Sequence, residues 1–120
     1  MAKIVVVDDS VADLTLMEQV LRQGDHQVIT LNEPTQAEAR IAAEQPHLVI
    51  LDVVMPVQNG YEVLRAIRKN PATRDVKVLM VSSKGNDTDV RWGLRQGASD
   101  YVPKPYTPQQ VLDAVQRLVG

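Results

Sequence analysis

Leu-Val-Ile-Leu-Asp at residues 48–52 is the stretch that decides the fold class, because a continuous apolar run ends in an acid. Near the N-terminus, Ile-Val-Val-Val at residues 4–7 runs in the same way into Asp8 and Asp9. Such runs of Val, Ile and Leu are typical of parallel strands that are buried on both faces. An ionised carboxylate at the end of a buried strand needs water, a partner or a metal ion. Three carboxylates brought together would repel one another unless a cation held them, so the sequence predicts an acidic, cation-binding pocket at the strand tips.

The composition indicates one folded domain and excludes several function classes. The 120 residues fit a single domain, and the 44% apolar content argues against disorder. A formal net charge of −2 gives no electrostatic footprint for nucleic acid or for an anionic membrane. The absence of cysteine excludes disulfides and thiolate metal sites. With neither a signal-peptide pattern nor an apolar stretch of membrane-spanning length, we expect a cytoplasmic protein without membrane insertion.

Strand-like and helix-like segments alternate along the whole chain. The apolar runs and turn signals predict strands over residues 3–7, 27–31, 47–51, 76–81 and 100–103. Cap residues and helical spacing predict helices that begin after Ser10, at Pro34, at Gly60, after Asn86 or Asp87, and after Thr107. Ser10, with Asp13 three residues later, also has the pattern of a capping box. The strict alternation predicts an α/β domain whose helices cover both faces of a parallel sheet.

The predicted sheet would gather polar side chains at one edge. Ligands bind such sheets at the carboxyl ends of the strands, where the strand order reverses. If the first and third strands are neighbours, Asp8 and Asp9 lie beside Asp52, because parallel strands are about 4.8 Å apart. The fourth and fifth strands would bring Ser82 and Lys104 to the same edge. One pocket would then combine carboxylates, a hydroxyl and an ammonium group.

Several motifs, in order along the whole chain, resemble the receiver domain of two-component response regulators. They are Val-Asp-Asp-Ser at 7–10, Leu-Asp-Val-Val-Met-Pro at 51–56, Asn-Gly at 59–60, Val-Ser-Ser at 81–83, and Gly-Ala-Ser-Asp-Tyr-Val-Pro-Lys-Pro at 97–105. The chain is similar to stand-alone regulators of the CheY type, and residues 91–98 resemble PilH-type regulators of twitching motility. The resemblance implies a flavodoxin-like (βα)5 doubly wound fold with the strand order 2-1-3-4-5. It also implies one receiver domain over residues 1–120, with no output domain.

The resemblance makes Asp52 the phosphoacceptor and Mg²⁺ the cofactor. A carboxylate can attack phosphorus and form an acyl phosphate, so the residue type suits this role. The implied metal ligands are Asp8, Asp9, Asp52 and the backbone carbonyl of Val54. Mg²⁺ suits this set because it prefers carboxylate oxygens, retained waters and substrate phosphate.

The same resemblance implies the groups that detect the phosphoryl group. Lys104 would pair with one phosphoryl oxygen, and with Asp52 before phosphorylation. The Ser82 hydroxyl would bond to another, and Tyr101 would turn inward behind it. Lys104-Pro105 would carry a cis peptide bond. Phosphorylation adds about −1.5 to −2 charge, which would bias a two-state equilibrium of the domain.

These roles imply a signalling switch that catalyses only its own phosphorylation and dephosphorylation. A CheA-like histidine kinase would be the phosphodonor, and a protein target would bind the face made by the fourth helix, fifth strand and fifth helix. We expect a monomer that binds no nucleic acid and works in type IV pilus motility, twitching motility or phototaxis. A phosphate sink for a shared kinase and a phosphorylation-independent scaffold stay open as alternatives.

Other classes fit the sequence less well. A phosphatase of the haloacid dehalogenase type needs a second acid two residues after the nucleophile, where Val54 stands. A flavodoxin-like redox carrier needs a Ser/Thr/Gly-rich phosphate loop, but residues 8–11 are Asp-Asp-Ser-Val. Taken one at a time, the site residues also have ordinary explanations. Asp8 and Asp9 could cap a helix, and Lys104 could be a surface charge.

Three further residues carry separate expectations. Trp92 is expected to be packed or half-buried, because large aromatic side chains are highly buried on average. A partly exposed Trp92 between Arg91 and Arg95 would instead be a candidate binding hot spot. Val54 and Lys84 depart from the residues found in CheY, and both flank the path of water to the phosphoryl group. We therefore expect a phosphate lifetime that differs from that of CheY.

Overall fold

The sheet has the predicted topology. The structure is a computed structural model that describes residues 2–55 and 59–120, so Pro56 of the predicted loop motif lies outside the described residues. The sheet order is β2-β1-β3-β4-β5, and every neighbouring pair is parallel. The strands are β1 Lys3–Val7, β2 Gln27–Leu31, β3 Leu48–Asp52, β4 Lys77–Ser82 and β5 Asp100–Pro103. The strand order and the parallel pairing are therefore confirmed.

Two strands begin and end one residue later than the sequence predicts. Asp52 is the last residue of β3 and Ser82 is the last of β4, so both belong to strands and not to the loops that follow. Asp52 lies in register with Val81 of β4, and Ser82 lies in register with Pro103 of β5. The hydrogen-bonded sheet, rather than a loop, therefore positions the backbones of both residues.

The helices begin close to their predicted residues. They are α1 Val11–Gln23, α2 Ala37–Glu44, α3 Gly60–Lys69, α4 Asp87–Arg95 and α5 Pro108–Val119. Pro34 begins a single 3₁₀ turn, Pro34–Gln36, and α2 follows directly from it. Asn86, rather than Asp87, caps α4, and Thr107 caps α5 with a complete capping box. Within residues 2–55 and 59–120, no helix has the length and hydropathy that a membrane span requires.

The capping box that the sequence predicts at α1 is only half formed. Ser10 Oγ accepts a hydrogen bond from the backbone N–H of Asp13, at 3.2 Å. The Asp13 carboxylate does not return to Ser10, whose N–H donates to Asp8 Oδ1 at 3.0 Å. It lies instead 3.1 Å from Lys104 Nζ, because a positive charge attracts it more strongly than a neutral N–H group.

Alternate residues of each strand pack on opposite faces, which confirms strands that are buried on both sides. On one face, Ile4, Val6 and Ile50 pack against side chains of α1 and α5. On the other, Val5 and Val7 pack with side chains of α2 and α3. With both faces covered by helices, the carboxyl ends of the strands are left to carry the polar groups.

Candidate functional site

The three predicted carboxylates meet at the carboxyl edge of the sheet. Asp8 follows β1 and Asp52 ends β3, and these two strands are hydrogen-bonded neighbours. One carboxylate oxygen from each of Asp8, Asp9 and Asp52 lies within 4.8 Å of the others. Asp8 is 6% exposed and Asp52 is 8% exposed, whereas Asp9 faces solvent. Carboxylate oxygens in this arrangement fit a hard divalent cation such as Mg²⁺.

Burial perturbs the titration of the two inner carboxylates. Burial raises the pKa of Asp8 to about 6, and the charge of Asp52 adds to that rise although the N–H of Ser10 opposes it. Burial also raises the pKa of Asp52, while the ammonium of Lys104 partly offsets the effect. Two acids that resist ionisation together form a pocket in which added positive charge is stabilising.

Lys104 brings positive charge to this pocket. Its Nζ lies 3.5 Å from Asp8 Oδ2 and 3.5 Å from Asp52 Oδ1. Burial alone would lower the pKa of Lys104, but the charges of Asp52, Asp13 and Asp8 outweigh it and raise this pKa. The backbone N–H of Lys104 donates to the carbonyl of Ser82 at 2.7 Å, and Lys104-Pro105 is the predicted cis peptide. The lysine is therefore charged at neutral pH and held beside Asp52.

Ser82 and Tyr101 are joined through the backbone of Lys84. Ser82 is fully buried, and its Oγ accepts a hydrogen bond from the N–H of Lys84 at 3.0 Å. The carbonyl of Lys84 accepts a hydrogen bond from the hydroxyl of Tyr101 at 2.7 Å. Tyr101 is buried, with its ring between the sheet and α4. A displacement of Ser82 therefore has a short hydrogen-bonded route to Tyr101.

Comparison with known proteins decides the family. The family model described as the response regulator receiver domain matches residues 4–116. The chain belongs to this family of receiver domains. It is 34% identical over 120 residues to protein PilH of Pseudomonas aeruginosa, covering 100% of this chain and 99% of that protein. The chain spans about half the length of three other curated relatives whose names describe regulatory proteins.

Solved receiver structures share the whole fold. The Vibrio cholerae chemotaxis protein CheY4 superposes with a TM-score of 0.90 at 28% identity, covering 98% of each chain. The receiver domain of the sensor histidine kinase PA1611 from Pseudomonas aeruginosa has a TM-score of 0.90 at 25% identity. The match covers 99% of this chain and 98% of the PA1611 chain. The PA1611 structure has a magnesium ion coordinated in its active site cleft. A receiver domain is a signalling switch of a two-component system rather than a metabolic enzyme.

Val54 contacts Asp52 through its backbone N–H, whereas the predicted role concerned its backbone carbonyl. A hydrogen bond from its backbone N–H lowers the pKa of Asp52, against the effect of burial. Its side chain is about half exposed beside the receiver's acidic pocket. The role of its carbonyl as a metal ligand stays a prediction.

Asp13 is a residue near the pocket that the sequence interpretation missed. Its position three residues after a serine cap has two possible meanings, because an acid there can complete a capping box or reach a nearby cation. The ion pair with Lys104 joins residues 91 positions apart in the sequence. The available signal was an acid in the first turn of a helix that starts at the receiver's acidic edge.

Two large apolar side chains of α4 are exposed. Trp92 is 50% exposed, so it matches the alternative of a partly exposed side chain between Arg91 and Arg95 rather than the expected packed one, and Leu94 is 43% exposed. Gly93 is buried and Val90 packs against the core, so these residues form the inner face of the helix. Residues two positions apart on a helix do not share a face, so Trp92 and Leu94 are two separate exposed apolar side chains, and the exposed tryptophan is a candidate contact for a partner.

Proposed function

We propose that this chain is a stand-alone response regulator that accepts a phosphoryl group on Asp52 from a histidine kinase. The observation that carries the proposal is the convergence of Asp52, Asp8 and Lys104 at one buried strand edge. Family membership implies a kinase phosphodonor and a downstream target. More specifically, we propose that the donor is a CheA-like kinase. We also propose that the protein is cytoplasmic and monomeric.

The reaction is a transfer between two nucleophiles. An Asp52 carboxylate oxygen forms a bond to phosphorus as the phosphorus–nitrogen bond of the donor phosphohistidine breaks. The electron pair of the broken bond goes to the donor imidazole, which leaves as neutral imidazole if the phosphohistidine ring was protonated and otherwise takes a proton from water. Such a transfer asks the protein mainly for positioning and for neutralisation of charge. In this proposal Lys104 would pair with one phosphoryl oxygen and the Ser82 hydroxyl would donate to another.

The acidic pocket is proposed to hold Mg²⁺. Asp8, Asp9, Asp52 and the backbone carbonyl of Val54 would be its ligands, directly or through water. The ion, when bound, neutralises the carboxylates and the phosphoryl oxygens during transfer. This ligand set is supported by the carboxylate oxygens of Asp8, Asp9 and Asp52, which lie within 4.8 Å of one another.

The phosphorylated state is proposed to act through Tyr101 and the face of α4, β5 and α5. A hydroxyl can donate and accept at once, so when Ser82 moves to donate its O–H to the phosphoryl group, the backbone of Lys84, whose N–H donates to Ser82 Oγ, would move as well. The Lys84 carbonyl would move with it, and with that carbonyl the hydroxyl of Tyr101. The exposed Trp92 favours a switch with a protein target over a pure phosphate sink, since a sink needs no exposed aromatic side chain for a target. The resemblance to PilH supports a place in twitching motility, and that assignment is part of the proposal.

Intact-mass spectrometry with acetyl phosphate and Mg²⁺ tests the central step. We expect one phosphoryl adduct on the parent protein, none on Asp52→Asn, and none on the parent when EDTA removes divalent cations. Asp25→Asn is a matched control, because it neutralises one carboxylate in the turn after α1, where φ is 62° and asparagine is tolerated. A parent protein that never gains the adduct would favour the scaffold alternative.

A further inference from the structure

The Asp13 carboxylate contacts Lys104 more closely than the aspartates of the pocket do. Asp13 Oδ2 lies 3.1 Å from Lys104 Nζ, whereas Asp8 and Asp52 each lie 3.5 Å from it. The helix cap does not need this carboxylate, since Ser10 contacts only the backbone N–H of Asp13. The side-chain carboxylate is therefore free to act on the lysine.

Asp13 and Lys104 stand between the buried pocket and an open groove. Both residues line the narrow pocket that also contains Asp8 and Asp52. Both also line a surface groove of about 350 Å³, which Leu16 and Tyr106 help to form. The Asp13 side chain is 46% exposed and that of Asp52 is 10% exposed, so Asp13 attracts the ammonium from the solvent side.

A lysine ammonium has three donors, and three carboxylates share it here. A phosphoryl group on Asp52 would add further acceptor oxygens to this competition. We propose that Asp13 is a positioning residue, which holds Lys104 at the outer side of the pocket before phosphorylation and competes with the phosphoryl group for it. This inference rests on the proposed roles of Asp52 and Lys104.

Because Asp13 and the phosphoryl group would compete for Lys104, removing the charge of Asp13 should stabilise the phosphorylated-like state. In Asp13→Asn the neutral amide binds the ammonium more weakly, so Lys104 is released to the phosphoryl position. A half-exposed ion pair is a modest interaction, so we expect the phosphorylated-like state to gain about two- to fivefold in stability. Asp13→Glu keeps the charge and should behave like the parent protein.

Beryllofluoride with Mg²⁺ is the probe, because it occupies the phosphoryl position without a chemical step. Titrations followed by amide chemical shifts in NMR give its dissociation constant at a fixed ionic strength. We expect Asp13→Asn to lower this constant about two- to fivefold. Asp13→Glu and the control Asp25→Asn should match the parent protein.

A second pair of variants separates the ion pair from a general effect of charge. If Asp13 acts through Lys104, Asp13→Asn has no effect in a Lys104→Met background. Tightening that persists in that background would come from the electrostatic field alone and would overturn the inference, as would an Asp13→Asn constant equal to that of the parent. Failure of the parent itself to bind beryllofluoride or to gain the adduct on Asp52 would overturn the proposed function, and this inference with it.

Discussion

A Cβ atom at Gly93 would lie 2.8 Å from Cδ2 and 2.9 Å from Cε2 of Tyr101. Real Cβ atoms do not approach other atoms so closely, so the ring can occupy its inward position only because residue 93 has no side chain. The ring is part of the core, and its hydroxyl bonds to the carbonyl of Lys84. A glycine on α4 and an aromatic ring on β5 thus determine together where the proposed switch residue rests.

Gly93→Ala should displace the Tyr101 ring and destabilise the protein. Overpacking costs about 1–3 kcal/mol, and the better helix propensity of alanine returns up to about 1 kcal/mol. We expect the free energy of unfolding to fall by about 1 kcal/mol, measured by urea denaturation.

The matched test for this clash is the same substitution in a Tyr101→Ala background. Without the ring, the alanine methyl has space, and only its favourable helix propensity remains. The substitution should then be neutral or stabilising. A loss of stability that is equal in both backgrounds would show that Gly93 serves α4 itself and not the ring.

Tyr101→Phe should remove the hydrogen bond to the Lys84 carbonyl and leave the ring packed. A typical hydrogen bond contributes about 0.5–1.5 kcal/mol, so the free energy of unfolding should fall by that amount. Tyr106→Phe is the control, because the Tyr106 hydroxyl makes no hydrogen bond to another described residue. Equal losses for the two variants would mean that the Lys84 contact adds nothing to stability.

The alternation of strands and helices was predictable from the sequence pattern, and the pairing of Lys104 with Asp52 from the family resemblance, but the contacts of Asp13 and Gly93 were not. The apolar runs before Asp8 and Asp52 indicate buried strands, and the alternation with helices indicates a parallel sheet. The strand order that makes β1 and β3 neighbours, and so brings these acids together, comes from the resemblance to receiver domains. The partner of Asp13 depends on which of two acceptable contacts its rotamer makes. No sequence pattern identifies Gly93, because the reason for a glycine at this position is the packing of the Tyr101 ring against it.

Stability should fall as pH rises when divalent cations are absent. The pKa of Asp8 is about 6 in the folded protein, against an ordinary value of 3.8, so between these values the folded state binds more protons than the unfolded state. The slope of unfolding free energy with pH is then negative. We expect a loss on the order of 1–3 kcal/mol between about pH 4 and pH 6, and little further loss above. Urea denaturation in EDTA measures it.

Asp8→Asn identifies the source of that pH dependence. The amide keeps an acceptor for the N–H of Ser10 but cannot ionise, so the variant should be more stable than the parent at pH 7 in EDTA. Its stability should change less between pH 4 and pH 6, with Asp52, whose pKa is also raised, supplying what remains. A parent protein whose stability rises over this range would contradict the assignment.

Val54→Asn should shorten the lifetime of the phosphoryl group on Asp52. The Val54 side chain is half exposed beside the acidic pocket and offers no group that could orient an attacking water. An amide there can hydrogen-bond a water molecule near the phosphorus, which lowers the barrier to hydrolysis. We expect the loss of the phosphoryl adduct, followed by intact mass, to become several times faster.

Leu94→Asn is the control for this prediction, because it makes a similar polar change on the exposed part of α4 and should leave the rate unchanged. If both variants lose phosphate at the parent's rate, access of water past residue 54 does not limit hydrolysis, and the lifetime must be determined by Lys104 and the metal site instead.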